Sequence, residues 1–177
     1  VKTYNLNPSV AYRINDFVSV GGGLNWQRLE ATYKRATAIN LAGSQSPLTL
    51  TLDDNSWGWN IGALFTLTPK TKVGVSYRSE VKYHTNGKIE ITGPAAPNSS
   101  DAKADITLPD VFILSATHQL TDRVELLADI SRTGWSSIPK VDIIRTSGAG
   151  IGTIAQTLDT DFRDTWRVAL GANYKLN

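Results

Sequence analysis

Few side chains in this 177-residue sequence are spaced for covalent or metal chemistry. Cysteine is absent, which removes thiolate nucleophiles, disulfides and thiolate metal ligands, and fits a compartment where stray thiols are a liability. The two histidines, His84 and His118, fall on different segments with no carboxylate cluster at metal-ligand spacing, so both read as structural. No serine shares a face with a histidine at a depth that suits a nucleophile, and Gly148-Ala149-Gly150-Ile151-Gly152 lacks the spacing of a dinucleotide fingerprint. The expectation is a protein with no catalytic residue, no metal and no cofactor. What remains is binding chemistry. Asn60, Arg78, Lys82 and Arg163 stand on the polar sides of alternating segments, where they could anchor the head group of a ligand. For Arg78 and Lys82, the alternative is a structural charge network shared with Glu80.

The elements that would position these residues are strands. Apolar and polar residues alternate with a period of two along most of the chain, where an amphipathic helix would repeat every three to four residues. Seven segments follow the rule. In the first, Tyr4, Leu6, Val10, Tyr12 and Ile14 alternate with polar residues, and Val18 to Gln27 form the second. The others are Ser56 to Leu67, Val73 to His84, Phe112 to Leu120, Val124 to Thr133 and Phe162 to Leu176. Short polar breaks at Asn15-Asp16, Pro69-Lys70-Thr71 and Thr121-Asp122-Arg123 mark tight hairpins. Stretches over 36–54, 93–104 and 136–160, rich in Gly, Ser, Pro, Asn and Thr, read as long loops at the opposite end.

Composition narrows the fold. Hydrophobic residues make up 41% and charged residues 19%, and no apolar run approaches the ~20 residues of a membrane helix. A net charge of +2 is too even to imply a nucleic-acid partner. Alternation alone equally describes a soluble β-sandwich or a lipocalin-like barrel. Three features favour an antiparallel transmembrane β-barrel. The polar face carries Arg78, Glu80, Lys82, Asp129, Arg163 and Arg167 among many small residues, which suits a wet lumen. Aromatic residues sit at two levels, with Tyr12, Phe65 and Tyr174 near the short turns and Trp26, Trp57 and Trp166 about 8 residues farther along, a separation of roughly 20 Å. Short turns at one end and long loops at the other complete the pattern. Seven strands of this kind are not expected to close alone, because an open edge cannot face lipid, so residues 1–177 read as part of a larger barrel.

Several stretches resemble the FadL/TodX family of outer-membrane transporters. They are Asn5 to Asn15, Trp57-Gly58-Trp59-Asn60, Tyr77-Arg78-Ser79-Glu80-Val81-Lys82, Leu108-Pro109-Asp110, Thr133-Gly134-Trp135-Ser136 and Phe162 to Gly171. The resemblance implies a 14-stranded monomeric barrel in the bacterial outer membrane, plugged by an N-terminal hatch, of which this chain supplies about seven strands without hatch or terminal strands. It implies passive transport of a fatty acid, alkane or aromatic compound through a lumenal pocket with sideways release, and an outer surface in contact with lipid and lipopolysaccharide. The family's basic lumenal pair falls on Arg35 and near Leu158, so one partner is missing unless Arg163 substitutes. A porin for small polar solutes and a soluble lipid-binding β-module remain the competing functions.

Overall fold

The computed structural model describes residues 1–39, 45–138 and 140–176. Twelve strands form one antiparallel sheet: β1 (Lys2–Leu6), β2 (Ser9–Arg13), β3 (Val18–Ile39), β4 (Gln45–Thr68), β5 (Thr71–Arg78), β6 (Val81–Ile91), β7 (Ser100–Leu108), β8 (Val111–Gln119), β9 (Val124–Thr133), β10 (Lys140–Arg145), β11 (Ile154–Asp159) and β12 (Thr165–Tyr174). Two short 3₁₀ turns, Gly93–Asn98 and Trp135–Ser137, interrupt it.

These strands make seven passes. β1 and β2 lie on one register line along β3 and are parted only at Asn7-Pro8, where proline has no N–H to donate. β3 and β4 pair over nearly their full lengths. Beyond β4 the sheet divides into two walls. The lower wall continues through β5, β8, β9 and β12, and the upper wall through β6, β7, β10 and β11. The expected short turns are present at the lower end. Asn15 Oδ1 accepts from the amides of Phe17 and Val18, and Thr121 Oγ1 accepts from those of Arg123 and Val124. Both are the side-chain turns that Asx and Thr favour.

The upper wall corrects the loop expectation. Residues 36–39 and 45–54 extend β3 and β4, 100–104 open β7, and β10 and β11 occupy much of 136–160; 40–44 and 139 lie outside the described residues. Ser46, Thr49, Thr51 and Ser100 in these stretches are strand residues, and the neighbouring strand approaches closely: a Cβ on Gly87 would stand 1.7 Å from the Thr51 carbonyl oxygen.

Cross-strand partners share a face, so the register sorts the side chains. In the lower wall the outer face is apolar and exposed, with Val10, Tyr12, Val20, Ile61, Leu114, Val168 and Leu170. Its inner face carries the small or polar Ser9, Gly21, Gly62, Ser76, Ser115 and Asp129 beside the larger Leu64, Val111, Ile113 and Leu127. The upper wall is reversed. Its inner face buries Leu48, Leu50, Leu52, Ile89, Ile91, Ala102, Ala104 and Ile143, with Leu29, Val81 and Tyr83 just below. Its outer face carries Lys82, His84, Lys88, Asp101, Lys103 and Asp105. On β4 the outward residues change from polar to apolar at Trp57, eight residues above Phe65, which matches the two aromatic levels expected for a membrane band.

Candidate lumenal ligand site

The upper inner face encloses a cavity of about 370 Å³, within the size range of small-molecule sites. Leu48, Leu50, Ile89, Ile91 and Ile143 give it apolar walls, and two arginines reach it. Arg35 pairs in register with Leu48 and is exposed. Arg145 pairs with Ala102, and its Nη1 donates to the Asn98 carbonyl (2.8 Å) and to Ser100 Oγ (3.1 Å). The Gly93–Asn98 turn, packed on β4 and β6, holds that guanidinium. Leu158 lies on the same face opposite Val141, and the second cation at the cavity, Arg145, stands on a different strand. Arg145 sits in what read as a loop, and only its basic character could have flagged it. The cavity can hold an apolar chain while its cations face an acidic head group.

Asn60 and Arg78 lie lower, in one row across the wall: Ser9, Gly23, Asn60, Arg78, Val111, Thr133 and Thr165. Just above it every pass except β3 and β4 is interrupted. Arg78 Nη2 donates to Asn25 Oδ1 at 3.3 Å, and Asn25 is wholly buried. Gly23 leaves no room for a side chain, since a Cβ would stand 2.7 Å from Asn60 Oδ1 and Asn7 Oδ1 and 2.8 Å from the Pro8 carbonyl oxygen. Above the row, Tyr83 donates to Gln27 Oε1 at 2.9 Å, and burial with the nearby Asp54 carboxylate pushes its phenol pKa up.

Lys82 is not lumenal. Between the pairs Asp53–Asn86 and Asn60–Arg78, β4 has six residues and the facing chain has seven. The extra residue, at Ser79-Glu80, works as a bulge that moves the pleat by one, so Val81 and Tyr83 turn inward and Lys82 turns out. There it pairs with Glu80 at 3.0 Å, both ends well exposed. Ser79 stands in for ladder bonds by accepting from the Trp59 amide and donating its own N–H to the Trp59 carbonyl, each at 2.9 Å. Arg163 is exposed between β11 and β12, away from the residues lining the Arg35 cavity.

A polar network escaped the sequence reading. Arg132 falls on the apolar phase of β9 yet pairs with Asp164, with its Nη1 3.9 Å from Asp110. Tyr77 donates to Asp110 at 3.2 Å, and Ser136 donates to Asp164 through its amide (3.1 Å) and hydroxyl (2.6 Å). One guanidinium thus ties together three of the wall's interruptions. The Ser136 donors and Arg132 hold the Asp164 carboxyl down from 3.8 to about 2. Asp164 lies outside the membrane-spanning strands. Elsewhere, His84 faces Asp105 at 2.9 Å and His118 meets Thr71 Oγ1 at 2.8 Å, both exposed.

Comparison with known proteins gives a consistent result. Residues 1–177 match the family model described as outer membrane protein transport protein (OMPP1/FadL/TodX). Among curated proteins, the chain is 28% identical over 203 residues to outer membrane protein P1 of Haemophilus influenzae, covering 98% of this chain and 43% of that protein. It is 27% identical over 220 residues to the long-chain fatty acid transport protein of Escherichia coli K12, covering 98% and 47%. Among solved structures, a Pseudomonas aeruginosa FadL homologue superposes with a TM-score of 0.84 at 20% identity, covering 99% of this chain and 46% of that one. The Ralstonia pickettii toluene transporter TbuX gives 0.76 at 19%, covering 99% and 52%. The chain spans about half the length of the relatives it matches.

Proposed function

The chain belongs to the OMPP1/FadL/TodX family of outer membrane transport proteins, and on that basis we propose that it forms part of the wall of a passive transporter for long-chain monocarboxylates and related hydrophobic compounds. Members of the family are outer-membrane β-barrel proteins of Gram-negative bacteria, which sets its compartment. In the complete protein we expect a 14-stranded monomer with a plugged lumen, surrounded by lipid and lipopolysaccharide.

The observation that carries this reading is the approach of Arg35 and Arg145 to one apolar cavity. Each methylene of an alkyl chain moved from water into such a cavity contributes about 0.8 kcal/mol. A charge-assisted hydrogen bond from an arginine adds about 1.5 to 3 kcal/mol and orients a carboxylate. A neutral hydrocarbon would use the walls alone. Sideways release into the membrane belongs to the same reading; its support is that β4 lacks a ladder partner over residues 54–58 on the side facing β5 and β6, above the Ser79 bonds to Trp59.

The test is uptake of labelled oleate and labelled toluene by cells that lack their own transporter and express the intact parent gene. Arg35→Ala with Arg145→Ala should cut oleate uptake at least tenfold and spare toluene. Uptake of toluene alone would move the substrate class to neutral hydrocarbons. Uptake of neither, with open conductance to small polar solutes, would replace the reading with a porin.

A further inference from the structure

The charged outer face of the upper wall has no part in the passage proposed above. β6 and β7 lie inside the sheet, between β4 and β10, so their outward side chains stand outside the barrel whichever further strands close it. From Arg28 to Lys34 on β3, Thr49 to Asn55 on β4, Lys82 to Glu90 on β6 and Asp101 to Thr107 on β7, every outward residue is polar or charged. The carboxylates near the break are already engaged. Glu80 pairs with Lys82 at 3.0 Å, Asp105 with His84 at 2.9 Å, and Arg28 reaches Glu30 at 2.9 Å and Asp53 at 3.3 Å.

Lys88 and Lys103 stand apart. Both are exposed, and neither forms an ion pair among the described residues, although Asp101 faces Lys88 in register and Glu90 follows it on the same face. Lys88 pairs with Asp101 and Asn86 with Lys103, which puts the two lysines on a cross-strand diagonal, roughly 7 to 8 Å apart. Asn86, also exposed, lies beside both. Like charges this close repel unless an anion lies between them. Two ammonium groups and an amide at that spacing can donate together to one phosphate, whose oxygens accept from all three.

Height selects the kind of phosphate. Asp53 is the register neighbour of Asn86 and Thr51 that of Lys88, four and six residues above Trp57 on β4. At the rise and tilt of a barrel strand these rows stand roughly 10 and 15 Å above the upper aromatic level. The headgroup zone of a phospholipid adds only about 5 to 8 Å to each side of the hydrocarbon, so its phosphate stops short of the two lysines. A glycolipid with phosphorylated core sugars extends farther. The end opposite the short turns is the extracellular side of such a barrel, where lipopolysaccharide forms the leaflet.

We propose that Lys88, Asn86 and Lys103 form a phosphate site for the core sugars of lipopolysaccharide packed against the outside of the wall. The site rests on the outer-membrane setting of the family and not on the transport reading, so loss of one leaves the other standing. Its contacts are made by exposed side chains, which makes them weaken as salt rises.

The experiment measures binding of three lipids to the intact parent protein in detergent by native mass spectrometry. They are lipopolysaccharide with phosphorylated heptoses, a deep-rough lipopolysaccharide that lacks them but keeps the lipid A phosphates, and phosphatidylglycerol. Wild type should bind the first at least fivefold more tightly than either of the others. Lys88→Gln with Lys103→Gln should remove that preference and leave binding of the deep-rough form unchanged, whereas Lys88→Arg with Lys103→Arg should retain it. Lys70→Gln with Lys175→Gln, an equal change of charge at the short-turn end, should also retain it. Far-ultraviolet circular dichroism melts that match wild type establish that each variant is folded. A preference that survives the Lys88 and Lys103 glutamines, or that falls equally with those at Lys70 and Lys175, overturns the site, as does wild-type binding without a preference. Phosphatidylglycerol bound as tightly as the phosphorylated glycolipid overturns the assignment of the ligand.

Discussion

The lower and upper walls are joined through β3 and β4 and opposite in polarity. Below the break row the apolar residues face outward and are exposed; above it they face inward around a cavity, and the outer face is charged. Each pass must therefore carry its apolar stripe from one face to the other, and two devices do so. β3 and β4 keep an unbroken pleat and shift the phase of the sequence. On β4 the apolar positions are 48, 50 and 52 above and 57, 59 and 61 below, with the polar run Asp53-Asp54-Asn55-Ser56 between them. The passes β5–β6 and β7–β8 do the reverse. Their apolar residues keep one phase through 73, 75, 77, 81 and 83, or 104, 106, 108, 112 and 114, and the backbone changes face at Ser79-Glu80 and Pro109-Asp110. A single alternating pattern can thus serve two solvents if the chain slips one residue between them.

That account is broken most directly by inserting one alanine between Asn55 and Ser56. β4 then has seven residues against the seven of 79–85, and an unbroken pleat turns Leu48, Leu50 and Leu52 outward, or else the β3–β4 ladder must bulge or slip. The expected outcome is loss of the upper wall, measured as a new protease-sensitive region within residues 81–108 and loss of oleate binding. An insertion variant that keeps full protease resistance would show that the upper core does not depend on the phase of β4. Next in size is Leu50→Ala, which removes a side chain only 5% exposed from the centre of the upper core. A loss of about 2 to 5 kcal/mol is expected from such a cavity in a site that cannot collapse, read as a lowered unfolding midpoint. Ile61→Ala, 57% exposed on the outer lower wall, should change that midpoint far less.

The same contrast explains what the sequence made legible. The lower wall was readable because its outer face is apolar, its inner face polar and its turns short, so alternation and turn chemistry agree, as in Val124 to Thr133 after Thr121-Asp122-Arg123. Much of the upper wall was not, because Gly87, Ser100 and Thr85 resemble loop composition and are strand residues for reasons of close approach and burial that exist only in three dimensions. The cavity was half legible. Arg35 came from resemblance, Arg145 was hidden in an unrecognised strand, and Lys82 was placed inside because the unbroken alternation concealed a change of face. Arg132 was missed because an arginine in an apolar phase looks like a lipid-facing error until Asp110 and Asp164 are seen beside it.

That arginine offers a finer way to sharpen the comparison, since its network lies where the two walls meet. Asp164 has its carboxyl held down to about 2 from 3.8, so the folded state binds its proton less readily than the unfolded chain does. Its contribution to stability is therefore complete above about pH 4 and is lost as pH falls toward 2. Wild-type melts should lose this part between pH 4 and pH 2, while Asp164→Asn, already less stable at neutral pH, should lose less over that interval. Equal slopes for the two proteins would remove Asp164 from the latch.

The smallest effect should come from Lys82. If the slip at Ser79-Glu80 places it outside, its only described ion pair is with Glu80, with 63% and 42% of the two side chains exposed. Such pairs are worth about 0 to 1 kcal/mol and weaken in salt. Lys82→Ala should then alter the unfolding midpoint by no more than that and leave oleate and toluene uptake at wild-type rates. A cation inside the passage would behave otherwise, because removing it would depress carboxylate uptake and spare toluene. Uptake by this one exposed variant therefore measures, at little structural cost, on which side of the wall the chain has put its alternating residues.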